Sequence, residues 1–237
     1  PPLPLGAAAR VVVVGGKLIE PPVRVSSDAW IEWAQCRQTL STGVGAGDSG
    51  EAGTDAGALT TPPALRVAIL TGTGDRAFCV GSDRKDRAKT GGDSFPPTGF
   101  GGLCQRYDLW KPVIALVNGD CIGGGLELVL AADLVVAVPG ARFGLPEPRV
   151  GLAASGGLHR LARYIGMKQA MEIALTGRLF SAAEMKDFGV INHVAHDFAH
   201  ARGKALTWAQ DIVKGAPLAI AATKQMMLSG LNHASLR

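Results

Sequence analysis

A single glutamate, Glu127, lies in an apolar segment that follows three consecutive glycines. The segment reads CIGGGLELVLAAD, and Glu127 is its only charged residue between Asp120 and Asp133. An ionised carboxylate among leucines and valines is costly unless it is paired or faces a polar cavity. A helix stripe that carries Glu127 to solvent is a weaker interpretation, because positions 130, 131 and 134 are apolar. A first-turn glutamate stabilised by the helix dipole is a third interpretation.

The glycines before it, Gly123 to Gly125, predict a helix start at which the backbone can approach a ligand closely. N–H groups in the first turn of a helix have no partner within the helix. Gly124 and Glu127 are three residues apart, so an amide donor and a carboxylate share one side of that turn. A donor for a developing oxyanion beside an acid–base carboxylate suits chemistry next to a carbonyl group.

A second glycine-rich stretch, RVAILTGTGDRAFCVGSDRKD, contains another candidate N–H donor. Residues 72–77 match the dinucleotide-binding pattern GxGxxA, but that pattern requires a helix to follow, and here a β-rich run ends at Gly81. A tight turn at the end of a strand explains Gly72 and Gly74 well and is the favoured interpretation. Gly81 and Ser82 begin the next predicted helix and offer an outward N–H group.

A third stretch, ARFGLPEPRVGLAASGGLHRL, holds Glu147 between two prolines. Proline disfavours helical conformation in the residue before it, so Glu147 is predicted on an extended, non-helical piece of chain. The residues alone leave two roles open, a loop glutamate paired with Arg149 or a catalytic acid. The glycines at 156 and 157 lead into a helix and predict another close backbone approach.

The elements that must position these residues predict an α/β fold. Continuous, β-branched apolar runs at 9–14, 66–71, 112–117 and 134–138 are typical of strands covered on both faces. They alternate with helix-like segments, and the last third is helical, with Gly166, Gly177 and Gly189 as predicted helix stops. We expect one domain over residues 1–237, with a disordered polar insertion at 41–63 and a helical C-terminal region at 195–237.

Composition narrows the class of protein. The chain has 237 residues, of which 47% are hydrophobic and 19% charged, so a coiled coil or a disordered chain is not expected. The net charge of +4 suits an anionic ligand but does not require one. No apolar run approaches the roughly 18 residues of a membrane span, and no basic region precedes a long apolar stretch at the start. We therefore expect a soluble protein.

Cysteines and histidines give no strong metal or disulfide pattern. The four cysteines are widely spaced without a CxxC pair, which favours reduced, partly buried thiols in an intracellular protein. His193, His196 and His200 could ligate a metal ion. Surface histidines are the favoured interpretation, because no glutamate lies between the first two as zincin chemistry requires. We expect no metal site.

Taken in order, three stretches resemble the crotonase superfamily, most closely its enoyl-CoA hydratases. They are VAILTGTGDRAFCVGSDRK, KPVIALVNGDCIGGGLELVLAADLVVA and ARFGLPEPRVGLAASGGLHRL, with the family's order and spacing. The match covers residues 66–194, which we take as the core of the domain. The resemblance implies a crotonase-like spiral of ββα units, assembled as a homotrimer or hexamer.

The resemblance also implies hydration of a 2-enoyl-CoA thioester. It places an oxyanion hole at the N–H groups of Ser82 and Gly124 and two acid–base carboxylates at Glu127 and Glu147. Acyl-CoA is the expected partner, and coenzyme A enters as part of the substrate, so no cofactor, nucleic acid or membrane partner is expected. The expected substrate-binding residues are Gly81, Ser82, Asp83, Arg84, Lys85, Gly123 and Gly124.

Two departures from the family pattern qualify this expectation. The stretch KLIEPPVRVSSDAW keeps only Pro22 of the region that helps hold coenzyme A, and the chain ends where the family normally adds helices. We therefore expect a truncated C-terminal region. The alternatives are an enoyl-CoA isomerase, which can work with one carboxylate, and a non-catalytic acyl-CoA- or protein-binding member. Acyl chain length and the choice among cytoplasm, mitochondrion and peroxisome stay open.

Overall fold

The computed structural model describes residues 9–15, 23–24, 65–72, 74–81 and 98–232. The predicted insertion at 41–63 lies outside the described residues. So do four of the predicted substrate-binding residues, Ser82, Asp83, Arg84 and Lys85.

The strands of the described residues form two sheets. In chain order the strands are β1 (Ala9–Gly15), β2 (Val23–Arg24), β3 (Leu65–Gly72), β4 (Ala77–Cys79), β5 (Val113–Val117), β6 (Asp120–Ile122), β7 (Leu134–Ala137), β8 (Arg142–Gly144), β9 (Phe180–Ser181) and β10 (His193–Val194). A six-stranded sheet has the order β10-β7-β5-β3-β1-β2, and a four-stranded sheet has the order β4-β6-β8-β9.

Helices alternate with the later strands of the described residues and predominate towards the C-terminal end. In chain order the α-helices are α1 (Gly124–Ala131), α2 (Leu158–Tyr164), α3 (Met167–Thr176), α4 (Ala182–Asp187), α5 (Phe198–Lys214) and α6 (Pro217–Gly230). Two short 3-10 helices lie at Phe100–Gly102 and Glu147–Val150. The predicted α/β class with a helical C-terminal region is confirmed.

Strands β3, β5 and β7 of the six-stranded sheet contribute side chains to apolar clusters on both faces of the sheet. Strands β3, β5, β7 and β10 are parallel, whereas β1 pairs antiparallel with β3. Alternate residues of β3 enter two different apolar clusters, with Val67 and Ile69 on the side of α5 and Ala68 and Leu70 on the other side. This double burial explains why the strands read as continuous apolar runs rather than alternating ones.

Helix α5 packs on the sheet through a stripe of small residues. Ala201, Ala205 and Ala209 are fully buried and spaced four residues apart, so they share one face. The larger side chains of Leu206, Ile212 and Val213 pack against the same cluster and are only partly buried. Alanine lets the helix axis approach the sheet, and the larger side chains flank that contact.

A repeated ββα unit connects the two sheets. In the most complete described copy, β5 belongs to the large sheet, β6 to the small sheet, and α1 follows directly. The pairs β3–β4 and β7–β8 repeat the passage from the large sheet to the small one. The Asn118 side chain joins two copies, because its Oδ1 accepts from Gly72 N at 2.9 Å and its Nδ2 donates to Gly74 O at 2.7 Å.

In this ββα arrangement, the residues of the GxGxxA pattern connect two strands. Gly72 ends β3, and the strand β4 begins at Ala77, so a strand rather than a helix follows the glycines. A Cβ atom on Gly72 would lie 2.2 Å from the carbonyl oxygen of Ala77. The preference for a tight turn over a dinucleotide site is confirmed.

Two predictions about local conformation need correction. Glu147 is the first residue of a 3-10 helix rather than part of an extended segment. Pro148 fits there because the first helical turn leaves its N–H position unused. Gly177 and Gly189 follow helices with φ values of +60° and +90°, whereas Gly166 has a φ of −59° and precedes α3. Gly166 therefore separates two helices without the left-handed stop.

The last helix, α6, has no buried residue and docks through Lys224. The Lys224 ammonium lies 2.7 Å from Asp133 Oδ2, and it also donates to the carbonyl oxygen of Lys111 at 3.1 Å. None of the helices in the described ranges has the length and apolar character to cross a membrane.

Candidate active site

Glu127 lies in the first turn of α1 and is buried. Its exposure is 7%, and every other residue from Gly124 to Leu130 is buried as well. The interpretation of a polar stripe facing solvent is therefore wrong. Its carboxylate oxygen Oε1 accepts a hydrogen bond from the Gly156 N–H at 2.7 Å, so one oxygen is paired with a backbone donor.

Neighbouring atoms leave no room for side chains at two of the glycines before Glu127. Gly123 has a φ of +59°, and a Cβ atom there would lie 2.8 Å from Glu147 Oε1. A Cβ atom on Gly125 would lie 2.0 Å from the carbonyl oxygen of Cys79. Any side chain at these positions would displace the Glu147 carboxylate or strand β4.

The Glu147 side chain extends to the start of α1 from the segment that follows β8. The Gly123 N–H donates to the carbonyl oxygen of Gly144 at 2.9 Å, which ties the start of α1 to the strand that precedes Glu147. The side chain is partly buried. Within the described part of the chain, its Oε2 atom is buried without a hydrogen-bond partner.

The two carboxylates interact electrostatically. Burial raises the pKa of Glu127, and the neighbouring Glu147 carboxylate raises it further, whereas the amides of Gly156 and Gly157 and the Arg160 guanidinium lower it. Burial also raises the pKa of Glu147. A buried and a partly buried carboxyl group whose negative charges repel each other favour a state in which one is protonated and one is ionised.

A backbone donor lies beside this pair. Gly124 is the first residue of α1, so its N–H has no carbonyl partner within the helix. Gly81, with a φ of +91°, lies against it, since a Cβ atom on Gly81 would be 3.6 Å from Gly124 N. Gly81 and Gly124 are therefore brought together. Ser82, the other predicted oxyanion donor, lies outside the described residues, and its role stays a prediction.

Sequence reasoning missed two contributors to the site. A Cβ atom on Gly124 would lie 2.5 Å from the ring of Phe100, which covers the start of α1. Arg160 on α2 is buried at 8% exposure, close to the glycines that contact Glu127. In the sequence it is one of two arginines in LHRLARY, and nothing local distinguishes it from Arg163.

The predicted surface histidines form a small cluster at the start of α5. Ligand atoms of His196, Asp197 and His200 lie within 4.8 Å of one another, and all three residues are exposed. His193 is on β10 and is not part of this group. Asp197 caps α5, because its Oδ1 accepts from His200 N at 2.8 Å. This cap accounts for the cluster, and the expectation of no metal site stays a prediction.

The described cysteines are free thiols, as predicted. Cys104 and Cys121 are buried and Cys79 is partly buried, whereas Cys36 lies outside the described residues. Burial raises the pKa of the Cys79 thiol to about 11, so it is protonated at neutral pH. None of these three thiols suits a nucleophilic role.

Comparison with known proteins identifies the family of this fold. A family model described as enoyl-CoA hydratase/isomerase matches residues 57–236. A mevalonyl-coenzyme A hydratase of Beauveria bassiana is 44% identical over 181 residues, or 71% of this chain. A carnitinyl-CoA dehydratase of Salmonella paratyphi B is 44% identical over 167 residues, or 69% of this chain. The chain spans 64% of the length of each of these relatives.

Solved structures agree with this match. A carnitinyl-CoA dehydratase from Mycobacterium avium 104 is 43% identical with a TM-score of 0.65, covering 70% of this chain and 65% of that one. An enoyl-CoA hydratase from Mycobacterium marinum is 34% identical with a TM-score of 0.71, covering 89% of this chain and 74% of that one. The chain belongs to the enoyl-CoA hydratase/isomerase family.

Proposed function

We propose that the protein adds water across the 2,3 double bond of a 2-enoyl-CoA thioester. The observation that carries this proposal is the approach of the partly buried Glu147 to the start of α1, where the buried Glu127 and a first-turn amide lie. Glu127 and Glu147 have raised pKa values from burial, and their charges interact. Such a pair supplies one base and one acid near neutral pH.

The Gly124 N–H and the Ser82 N–H form the proposed oxyanion hole. The thioester carbonyl oxygen accepts from both amides, and the negative charge that reaches this oxygen as water adds at C3 is stabilised there. Losing one such donor costs about 3 kcal/mol of transition-state stabilisation. Gly81, Gly123 and the segment Ser82 to Lys85 are the proposed contacts to the thioester and pantetheine.

The proton roles follow from the surroundings of each carboxylate. Glu127 accepts from the Gly156 amide, which favours its ionised form, so it takes a proton from the attacking water. Glu147 has a buried oxygen without a partner among the described residues, which suits a protonated acid that donates to C2. The water oxygen bonds to C3 and a proton reaches C2, so the enolate collapses to the 3-hydroxyacyl thioester without a redox step or a separate cofactor.

The reverse reaction extends the range of test substrates. One relative is named as a mevalonyl-coenzyme A hydratase and another as a carnitinyl-CoA dehydratase, so their names describe hydration in one case and dehydration in the other. The two-carboxylate arrangement favours this chemistry over isomerisation, which needs one carboxylate. We propose an acyl-CoA substrate whose C3 carries the hydroxyl group in one direction and the double bond in the other.

Turnover with defined thioesters tests the proposal. Wild-type protein is incubated with crotonyl-CoA and longer 2-enoyl-CoA esters, and hydration is followed as loss of the conjugated enoyl absorbance. Separate incubations with carnitinyl-CoA and mevalonyl-CoA follow dehydration as appearance of that absorbance. Glu127→Gln and Glu147→Gln are each expected to lower kcat by about 100-fold or more, because each removes one proton-transfer group. Double-bond migration in a 3-enoyl-CoA without hydration would instead identify an isomerase.

The absence of turnover by the wild-type protein with every thioester would overturn the hydratase proposal. In that case tight acyl-CoA binding, unchanged in the Glu127→Gln, Glu147→Gln double variant, would identify a non-catalytic binding member of the family.

We also propose that the protein assembles as a homotrimer or hexamer. Support comes from α6, which has no buried residue and exposes large apolar side chains along its length. Exposed apolar area of this kind on a helix suits a subunit contact. The residues concerned are Leu218, Met226 and Met227.

A further inference from the structure

Arg160 is a buried cation whose position the proposed reaction does not by itself explain. Its side chain donates from Nη1 to the carbonyl oxygens of Cys104 and Gly156, the latter at 3.3 Å. Its guanidinium also lies 5.2 Å from the ring centroid of Tyr107. A buried arginine is costly, so the contacts that it makes must stabilise something specific in this part of the fold.

Those contacts converge on Glu127. Gly156 is the residue whose N–H donates to Glu127 Oε1 at 2.7 Å, and Arg160 holds the carbonyl of that same residue. Cys104 packs beside Gly156 as well, since its Cβ lies 3.1 Å from where a Cβ on Gly156 would be. Arg160 therefore joins the two backbone segments that pack around the Glu127 carboxylate.

The charge of Arg160 acts on the same group. Within the described ranges no carboxylate forms an ion pair with it. Its positive charge lowers the pKa of Glu127, opposing burial and the Glu147 charge. The titratable groups around Glu127 are Glu147, Cys79, Cys104 and Arg160, and those around Arg160 are His159, Tyr107, Tyr164, Arg163 and Lys224.

We propose that Arg160 is a positioning residue for Glu127. By holding the carbonyls of Cys104 and Gly156, it fixes the Gly156 amide on the Glu127 carboxylate, the base that polarises water, and its charge favours the ionised form of that carboxylate. This inference rests on the proposed function, in which Glu127 acts in its ionised form. Arg160 does not touch the reacting atoms and acts only through Glu127 and Gly156.

The pH dependence of kcat/KM tests the proposal. Arg160→Met removes the charge and the hydrogen bonds to the carbonyl oxygens of Cys104 and Gly156, so the acid limb of the profile is expected to move to higher pH. The kcat value is expected to fall about 10- to 100-fold, with KM changed much less, because the base is misplaced rather than the substrate site. Arg160→Lys keeps the charge, so its acid limb should stay near that of the wild type while kcat falls.

Arg163→Met is the matched control, since Arg163 is an exposed arginine on the same helix. It should leave the acid limb unchanged. A role confined to fold stability would lower the melting temperature of Arg160→Met while leaving the acid limb of its folded fraction in place. That result, with kcat within about threefold of the wild type, would overturn the positioning role.

A direct titration separates this inference from the hydratase proposal. Protein labelled with 13C at the glutamate carboxyl groups is titrated by NMR, and the Glu127 signal is assigned by its loss in Glu127→Gln. Its midpoint should rise in Arg160→Met, or in Arg160→Gln if the methionine variant does not fold, and not in Arg163→Met. This measurement needs no turnover, so an inactive wild-type protein would contradict the hydratase proposal alone. An unchanged Glu127 titration midpoint in Arg160→Met would contradict the role proposed for Arg160.

Discussion

At the residue scale, Glu147 destabilises the fold that positions it. Its pKa is raised in the folded state by burial, so the folded protein binds this proton more tightly than the unfolded chain. Stability therefore falls as the pH rises from the ordinary glutamate pKa of 4.5 through the higher folded pKa. Glu147→Gln should raise stability at pH 8 by about 1 kcal/mol, which corresponds to about 2–4 °C in melting temperature for a chain of this size.

The stability gained by Glu147→Gln should shrink towards pH 4, where Glu147 is protonated in both the folded and the unfolded state. Glu184→Gln is the control of opposite sign, because Ser181 donates to Glu184 in a capping box and lowers the pKa of Glu184. That variant should be less stable than the wild type at pH 8, with the difference lost as the pH falls through the folded pKa. Thermal melts at both pH values measure these effects, and a Glu147→Gln variant less stable at pH 8 would contradict the account.

At the element scale, α6 depends on one partly buried ion pair. Lys224 and Asp133 are 2.7 Å apart, with side chains 12% and 25% exposed. Lys224→Ala should lower stability by about 1–3 kcal/mol, because the partly desolvated Asp133 carboxylate would lose its charge-assisted hydrogen-bond partner. The loss should be local to α6, and faster hydrogen exchange of its amides, with the sheet unchanged, is the measurement.

The matched control is Lys214→Ala on α5. Lys214 lies 2.8 Å from Asp211, but the two side chains are 75% and 58% exposed. An exposed pair of this kind contributes about 0–1 kcal/mol. Equal effects of the two substitutions would show that burial does not make the Lys224 contact important.

At the scale of the whole molecule, the exposed apolar side chains of α6 form the proposed subunit contact. The wild-type protein should sediment with three or six times the chain mass of 24.5 kDa. The Met226→Lys, Met227→Lys double variant should shift it towards the monomer, because a buried charge in a subunit contact is costly. Leu175→Lys, at an exposed position on α3, is the control expected to leave the mass unchanged. A monomeric wild type in analytical ultracentrifugation would contradict the assembly proposal.

The sequence by itself determined the elements that depend on neighbouring residues. Strands β3, β5 and β7 are visible as apolar runs because both of their faces are buried, and the glycines before Glu127 mark the start of α1. Burial of Glu127 also follows from the leucines and valines around it. Glu147 carries no such signal, and its role was expected only through the family resemblance.

Only the tertiary structure decided which distant residues meet. It brought Glu147 against Gly123, placed the Gly156 amide on Glu127, and buried Arg160 while leaving Arg163 exposed, although both arginines lie on one short helix. The physical reason is that propensity and periodicity act over a few residues, whereas these contacts arise where several packed elements converge. The chemistry of a residue can be read from its type, but its pKa and partners depend on that packing.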